Sequence, residues 1–212
     1  GLSVGIIETQ YLDPLAIEIR VASMRAFTEL ERSGAIAITR NGYLRLAHAE
    51  ADLERFGRSV EIQRSLGVAD SRVVDQDGLR SFVPDLAVDD LVGGLFGPSD
   101  GYIDGHRYCA ALASAVVDAG GRVLQDTEVI GLETGGDGRR TVRSTRGDFT
   151  CDLVVNAAGG WAGGVGDRLG APIEILPQRH QALIARLPEP LPYLMPSVMD
   201  YVPSSGGFGV YF

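Results

Sequence analysis

The sequence predicts an α/β fold in which apolar strands alternate with amphipathic helices. Two observations predict it. The apolar run 152–156 ends in three small residues (157–159), and a helix is expected to follow. The run 4–7 is a second apolar strand, and Glu8 closes it. Because ligands bind beyond the carboxyl ends of the strands in an open α/β sheet, both strand ends are candidate sites.

Size and charge limit the classes of partner. The chain has 212 residues, enough for one large or two small domains. Its formal net charge of −9 disfavours a nucleic-acid partner, so small molecules or proteins are expected instead. Cys109 and Cys151 lie far apart in the sequence, which favours reduced thiols and a cytoplasmic location. No apolar stretch has the length of a membrane span, and three scattered histidines give a metal site no support.

The first half reads as mainly helical. Asp13 and Pro14 predict the start of a helix that Gly34 would end. The expected apolar face of this helix consists of Leu15, Ile19, Ala22, Ala26 and Leu30. A strand over 42–47 and helices over 49–66 and 75–82 follow, and the helices could form a cap.

The second half reads as a helix followed by strands. A helix is expected over 106–119, and strands over 122–125, 128–133 and 141–145, with a hairpin turn at 135–138. The strand 152–156 comes next. Beyond residue 170 many prolines interrupt extended segments, which indicates the start of a second, sheet-rich domain.

The strand ends carry the candidate chemistry. A carboxylate in the position of Glu8 can accept hydrogen bonds from ribose hydroxyls, although it could also be only a polar strand end. The run Gly164-Val165-Gly166-Asp167-Arg168-Leu169 is not a phosphate loop, because Leu169 replaces the third glycine. The segment 155–170 is then either a strand end next to a cofactor or a tight strand-to-helix connection.

Two polar clusters have more ordinary explanations. Tyr102, Asp104 and His106 could perform acid–base chemistry, but Asp104 suits the N-cap of the next helix better. Gln178-Arg179-His180-Gln181 could line a substrate pocket or could alternate outward from a sheet.

Taken in order, these segments resemble the D-amino-acid oxidase superfamily of flavoproteins, which includes glycine oxidase and sarcosine oxidase. The similar segments are Val4-Gly5-Ile6-Ile7-Glu8, Asp100-Gly101-Tyr102-Ile103-Asp104 with the helix to Ala119 and then 120–123, Thr127-Glu128-Val129-Ile130-Gly131-Leu132, Val154-Val155-Asn156-Ala157-Ala158-Gly159-Gly160-Trp161, and Pro177-Gln178-Arg179-His180-Gln181. The resemblance covers nearly the whole chain.

The resemblance implies an FAD-binding Rossmann-like domain interleaved with the start of an antiparallel-sheet substrate domain. Residues 1–9 and 99–170 would belong to the FAD-binding domain. Residues 10–98 would form a helical cap on the substrate side, and 171–212 would begin the substrate-domain sheet. The fold is expected to be incomplete at both ends.

The resemblance also assigns site residues. Glu8 would hold the adenosine ribose, and Val129 would bracket the adenine edge through its backbone N–H and C=O. Ala157, Ala158 and Gly159 would pass beneath the cofactor, with Trp161 nearby. The implied reaction is oxidation of the C–N bond of an amino acid or secondary amine to an imine by hydride transfer to FAD. Oxygen, a quinone or an electron-transfer protein would be the electron acceptor, and no residue is identified as catalytic.

The sequence departs from the family pattern in several places. The glycine fingerprint expected before residue 1 is absent, few residues separate Glu8 from Tyr11, and Gly105 replaces the usual proline. We therefore expect these 212 residues to be inactive alone. Two alternatives stay open: a non-catalytic binding or assembly module, and a related flavoprotein dehydrogenase of hydroxy acids or glycerol phosphate.

Overall fold

A computed structural model describes residues 4–136, 138–178, 183–200 and 209–212 of the chain. In chain order its elements are β1 (Ile6–Ile7), α1 (Pro14–Arg32), β2 (Ile38–Thr39), β3 (Tyr43–Ala47), α2 (Glu50–Ser65), β4 (Arg72–Val74), α3 (Gln76–Phe82), β5 (Gly93–Gly97), β6 (Gly101–Ile103), α4 (Gly105–Asp118), β7 (Val129–Thr134), β8 (Arg140–Ser144), β9 (Gly147–Cys151), a 3-10 helix (Gly159–Trp161), α5 (Ala162–Arg168), β10 (Ser197–Asp200) and β11 (Val210–Tyr211).

The chain divides into two compact units. The first unit contains residues 1–119 and 189–212, and the second contains residues 120–188. The predicted boundaries at residues 9, 98 and 170 describe the domains of the family and not compact units of this chain. They therefore stay a prediction. Mixed α/β architecture, as predicted, is found in the chain.

A five-stranded sheet forms the centre of the first unit, in the order β11-β10-β3-β5-β4. β3 and β5 pair antiparallel from Tyr43↔Gly97 to Ala47↔Gly93, and β10 runs parallel to β3. Every residue of β3 and β5 is buried. One core cluster joins Leu44 and Leu46 to Leu79 of α3, and another contains Ala47, Leu95 and two residues of α2, Phe56 and Val60. Both faces of this pair of strands are therefore covered.

A smaller sheet in the order β1-β6-β2 positions the first candidate residue. β1 and β6 pair antiparallel through Ile6↔Tyr102 and Ile7↔Gly101. Ile7, Ile36 and Ile103 form the core beneath α1 and α4. Glu8 follows β1 directly and Asp100 precedes β6 directly, so the register puts these two carboxylates at the same end of the ladder.

The helix starts confirm the capping predictions. Asp13 accepts a hydrogen bond from the Ala16 amide at 2.9 Å, and Asp104 accepts from the His106 amide at 2.9 Å and the Arg107 amide at 3.1 Å. These bonds satisfy amides that have no partner within the helix.

The predicted apolar face of α1 was wrong except at Leu30, which packs against the core. Leu15 is 64% exposed and Ile19 is 57% exposed, whereas Ile17 is fully buried and Val21 is 4% exposed. Ile17 and Val21 have helical spacing too, so periodicity alone could not choose between two adjacent stripes. Within the described residues, no helix has the length and apolar character needed to cross a membrane.

The second unit is built on an antiparallel meander in the order β7-β8-β9. The predicted hairpin turn is confirmed: the Gly138 amide donates to the Gly135 carbonyl at 3.0 Å, and the Gly135 amide donates to the Arg139 carbonyl at 2.8 Å.

Two predicted strands of the second unit, 122–125 and 152–156, were wrong. Both segments lack regular secondary structure. Their residues suit a strand, but a strand needs a hydrogen-bonded neighbour, and none of the described residues pairs with either run.

Candidate functional site

Glu8 lies on the wall of a cavity between β1 and α1. The side chain is held from one side by the Gln10 amide, which donates to Oε2 at 2.6 Å. From the other side Arg20 Nη1 approaches Oε1 to 3.7 Å, which is longer than a hydrogen bond. Oε1 can therefore still accept hydrogen bonds from a ligand.

The cavity around Glu8 combines one acid with an apolar lining. It has a volume of about 390 Å³ and is lined by Ile6, Ile7, Glu8, Ala16, Ile19, Arg20, Ser23, Met24 and Phe27. Burial raises the pKa of Glu8, and the neighbouring Arg20 and Arg45 partly oppose that shift. Such a wall suits a ligand that presents hydroxyl donors to the carboxylate and an apolar surface to the remaining side chains.

A buried polar network directly follows Glu8. Asp100 Oδ1 accepts from the Thr9 amide at 3.1 Å, and Oδ2 accepts from Gln10 Nε2 at 2.7 Å. Gln63 Oε1 accepts from the Thr9 hydroxyl at 3.1 Å and from the Ser71 hydroxyl at 2.7 Å. All five side chains are at most 2% exposed.

The sequence analysis did not identify this network. It named Asp100 only as part of a segment similar to the family, and Thr9 and Gln10 received no role. A signal existed in α2, where the polar residues Ser59 and Gln63 share a face with the buried Phe56 and Val60. Two polar side chains four residues apart on a buried face require buried partners.

Val129 opens β7 in the second unit. Its carbonyl accepts from Arg168 Nη1 at 3.1 Å, and the same nitrogen donates to Glu128 Oε1 at 2.8 Å. The role of the Val129 backbone toward adenine stays a prediction.

The segment from Ala157 to Trp161 is open. Ala157 and Gly159 are exposed, Ala158 is half-buried and Trp161 is 80% exposed. Gly159 has a φ of +56°, and nothing lies within 4 Å of the position that a Cβ would occupy. The turn is shaped by Asn156, whose Nδ2 donates to the Ala162 carbonyl at 2.9 Å and whose Oδ1 accepts from the Ala158 amide at 3.3 Å.

The structure places the predicted site residues in different units. Glu8 belongs to the first unit, whereas Val129, Ala157, Ala158, Gly159 and Trp161 belong to the second. Their roles in binding stay predictions.

The other polar candidates have no assigned ligand role, although Tyr102, Asp104 and His106 line a second cavity, of about 820 Å³. Asp104 acts as an N-cap, and the Gly164–Leu169 run lies in α5 and its C-cap. Gln178 is exposed, and Arg179, His180 and Gln181 lie outside the described residues.

The described residues fit the adenosine part of FAD. A ribose presents hydroxyl donors, and Glu8 offers a buried carboxylate oxygen, Oε1, that makes no short hydrogen bond to any described residue. The open backbone at Gly159 admits close approach by a large flat group. Each feature belongs to its own unit, and the roles of these residues in binding stay predictions.

Comparisons with known proteins identify relatives of one kind. A family profile described as "DAO: FAD dependent oxidoreductase" matches residues 1–212. Glycine oxidase of Geobacillus kaustophilus is 30% identical over 182 residues, which cover 85% of this chain and 48% of that protein. Mitochondrial sarcosine dehydrogenase of Mus musculus is 30% identical over 166 residues, covering 76% of this chain and 18% of that protein.

Solved structures share the fold. L-proline dehydrogenase from P. horikoshii superimposes with a TM-score of 0.75 at 20% identity, covering 95% of this chain and 53% of that one. Glycine oxidase from Geobacillus kaustophilus gives a TM-score of 0.62 at 28% identity, covering 79% of this chain and 47% of that one. The chain spans about half the length of these two proteins. Because the family profile extends over the whole sequence, the chain belongs to the DAO family of FAD-dependent oxidoreductases.

Proposed function

We propose that the intact protein oxidises the C–N bond of an amino acid or secondary amine to an imine, with FAD as cofactor. The observation that carries this proposal is the family match over residues 1–212, together with relatives named for glycine, sarcosine and dimethylglycine. All three names denote small amino acids with a primary, secondary or tertiary amine. A small substrate of this class is the simplest inference.

When bound, FAD supplies the acceptor for the hydride that leaves the carbon next to the nitrogen. The nitrogen lone pair then forms the C=N bond, and water hydrolyses the imine. Oxygen, a quinone or an electron-transfer protein would remove the electrons. The cytoplasm is the expected location.

The chain's own residues contribute binding and orientation. Glu8 accepts hydrogen bonds from the ribose hydroxyls, and the backbone of Val129 brackets the adenine edge. The small residues Ala157, Ala158 and Gly159 let the backbone pass close beneath the cofactor, and Trp161 packs nearby. The buried position of Glu8 and the open backbone at Gly159 support these roles.

The test of this function starts from the full-length gene product. We expect a flavin absorbance spectrum that bleaches under anaerobic conditions when small amines or amino acids are added. Bleaching by hydroxy acids or glycerol phosphate alone would identify the related dehydrogenase instead. A folded protein that binds no flavin would identify a binding or assembly module. The 212-residue chain alone is expected to retain no stoichiometric flavin.

The assignment of Glu8 has its own test. Glu8→Gln in the full-length protein should lower FAD affinity about 10- to 100-fold, because a hydrogen bond to a charged acceptor contributes about 1.5–3 kcal/mol. Glu18→Gln on the exposed face of α1 is the matched control and should bind FAD normally. Equal affinities for both variants would exclude a ribose contact at Glu8.

A further inference from the structure

We infer that Asp100 is a positioning residue for Glu8: its buried carboxylate fixes the Thr9–Gln10 segment, which in turn directs the Glu8 carboxylate into the cavity beside α1. This inference deepens the proposed function and rests on it for the identity of the ligand that Glu8 binds. The position of Glu8 itself can be tested separately.

The strand register brings the two acids together. Ile7 pairs with Gly101. Glu8 follows Ile7 and Asp100 precedes Gly101, so both acids leave the ladder at the same place. Glu8 is 8% exposed and Asp100 is 2% exposed. Their side chains have separate surroundings, because Glu8 lines the cavity and Asp100 enters the polar network.

The two carboxylates hold consecutive backbone amides. Asp100 accepts from the amide of Thr9 at 3.1 Å, and Glu8 accepts from the amide of Gln10 at 2.6 Å. Asp100 also accepts from the Gln10 side chain at 2.7 Å. The Thr9 amide belongs to the peptide between Glu8 and Thr9, and the Gln10 amide belongs to the next peptide. Together with the bond to the Gln10 side chain, these contacts fix the orientation of both peptides. The Gln10 amide can hold Glu8 in its present rotamer only while that orientation persists.

The rest of the network keeps Asp100 in place. Arg45 Nε donates to the Gln10 carbonyl at 3.0 Å, and Ser71 accepts from Gln10 Nε2 at 3.1 Å. Gly97 is required opposite these groups, since a Cβ there would overlap both Gln10 Nε2 and Asp100 Oδ2. A buried donor that loses its acceptor costs the desolvation free energy of that group, so loss of Asp100 should displace the segment that it holds.

The charges at this site are coupled as well. Burial, with a smaller contribution from the nearby Glu8, raises the pKa of Asp100 to about 7, against the hydrogen bonds from Gln10 and Thr9. Two neighbouring acids in a poorly solvated site disfavour simultaneous ionisation. The experiment must therefore distinguish the effect of removing the Asp100 charge from the effect of removing its hydrogen bonds.

The experiment compares two substitutions in the 212-residue chain by ¹³C NMR titration of the Glu8 carboxyl group. Asp100→Asn removes the charge but keeps an oxygen that can accept from Thr9. Asp100→Ala removes both. We expect the Glu8 pKa to fall toward that of an exposed glutamate in Asp100→Ala, and to fall less in Asp100→Asn. Asp85→Ala, at an exposed position, should leave it unchanged.

Identical Glu8 titration curves for Asp100→Ala and Asp100→Asn would overturn the inference, as would curves equal to the wild type. If Asp100→Ala does not fold, Gln10→Met is used instead. It removes the side-chain bond to Asp100 and keeps the backbone amide that Glu8 accepts from. A normal Glu8 titration in folded Gln10→Met would overturn the part of the inference that runs through the Gln10 side chain, because the bond from the Thr9 amide to Asp100 is kept.

A second measurement connects the inference to the cofactor. In the full-length protein Asp100→Ala should weaken FAD binding about tenfold, the value of one hydrogen bond, with a smaller loss in Asp100→Asn. If Glu8→Gln binds FAD normally, the proposed ribose contact is wrong. The NMR titration would still decide whether Asp100 positions Glu8.

Discussion

The two segments expected to contact the cofactor have opposite surroundings. The segment from Glu8 to Gln10 in the first unit is at most 8% exposed, and hydrogen bonds hold each of its side chains. In the second unit, Leu153 is 75% exposed, Val155 is 77% exposed and Trp161 is 80% exposed. One segment is fixed by its own neighbours, and the other leaves large apolar side chains in contact with solvent.

The difference shows how much each segment depends on the 212 residues. Hydrogen bonds in a buried network form only with specific partners, and the first unit contains those partners. Burial of a large apolar side chain contributes about 1.5–3 kcal/mol, which the second segment does not gain in this structure. We therefore expect substitutions in the first segment to reduce stability strongly and substitutions in the second to change it little.

Gly97→Ala should have the largest effect. The new methyl group would overlap both Gln10 and Asp100 in a site without free space, and we expect a loss of about 3 kcal/mol in unfolding free energy. Urea denaturation measures the loss. Gly57→Ala in α2 is the control: nothing lies within 4 Å of its Cβ position, so it should stabilise the chain slightly. Equal unfolding free energies for Gly97→Ala and Gly57→Ala would contradict a tightly packed network.

The pH dependence of stability should follow from Asp100. Its pKa is raised from 3.8 to about 7 in the folded chain, so the folded state holds a proton that the unfolded state releases. The stabilisation from this bound proton is complete below about pH 4. It is lost as the pH rises from 4 through 7, and above that pH the stability no longer depends on this group. Between pH 4.5 and pH 8 this group should lower the unfolding free energy by roughly 3 kcal/mol, and Asp100→Asn should remove that decrease.

Denaturant titrations at the two pH values measure the Asp100 contribution directly. Asp148→Asn, at an exposed position of β9, serves as the control and should keep the wild-type dependence. If Asp100→Asn retains the full decrease with pH, another group is responsible for it.

Thr9→Val should have an intermediate effect. The substitution keeps the shape of the side chain but removes the hydroxyl that lies 3.1 Å from Gln63 Oε1 and 3.2 Å from Asp100 Oδ1. A buried acceptor that loses its donor lowers the unfolding free energy by about 1–3 kcal/mol. Thermal unfolding followed by circular dichroism measures the change, and Thr150→Val in exposed β9 is the matched control. A loss equal to that of the control would show that the hydroxyl adds nothing to the network.

Trp161→Ala should have the smallest effect. The side chain is 80% exposed, so its removal should change the unfolding free energy by less than about 0.5 kcal/mol. The same thermal measurement applies. A loss of several kcal/mol would show that this segment is packed in solution and would remove the contrast between the two segments.

Local sequence signals were sufficient for the helix starts and for one hairpin. Asp13 and Asp104 cap helices as predicted, and the turn at 135–138 closes as predicted, because each depends on residues only a few positions apart. The order of short motifs was sufficient for the family, which the profile match over 1–212 confirms.

Tertiary structure decided what depends on distant residues. The predicted strand 152–156 is not formed, since a strand requires a paired neighbour that its own pattern does not supply. Asp100 meets Thr9 across 91 positions, and Gln63 meets Thr9 across 54. The periodicity of α2 indicates that Gln63 needs a buried partner, but it does not identify Thr9 as that partner. The pairing arises only when two strand ends and a helix face come together in the fold.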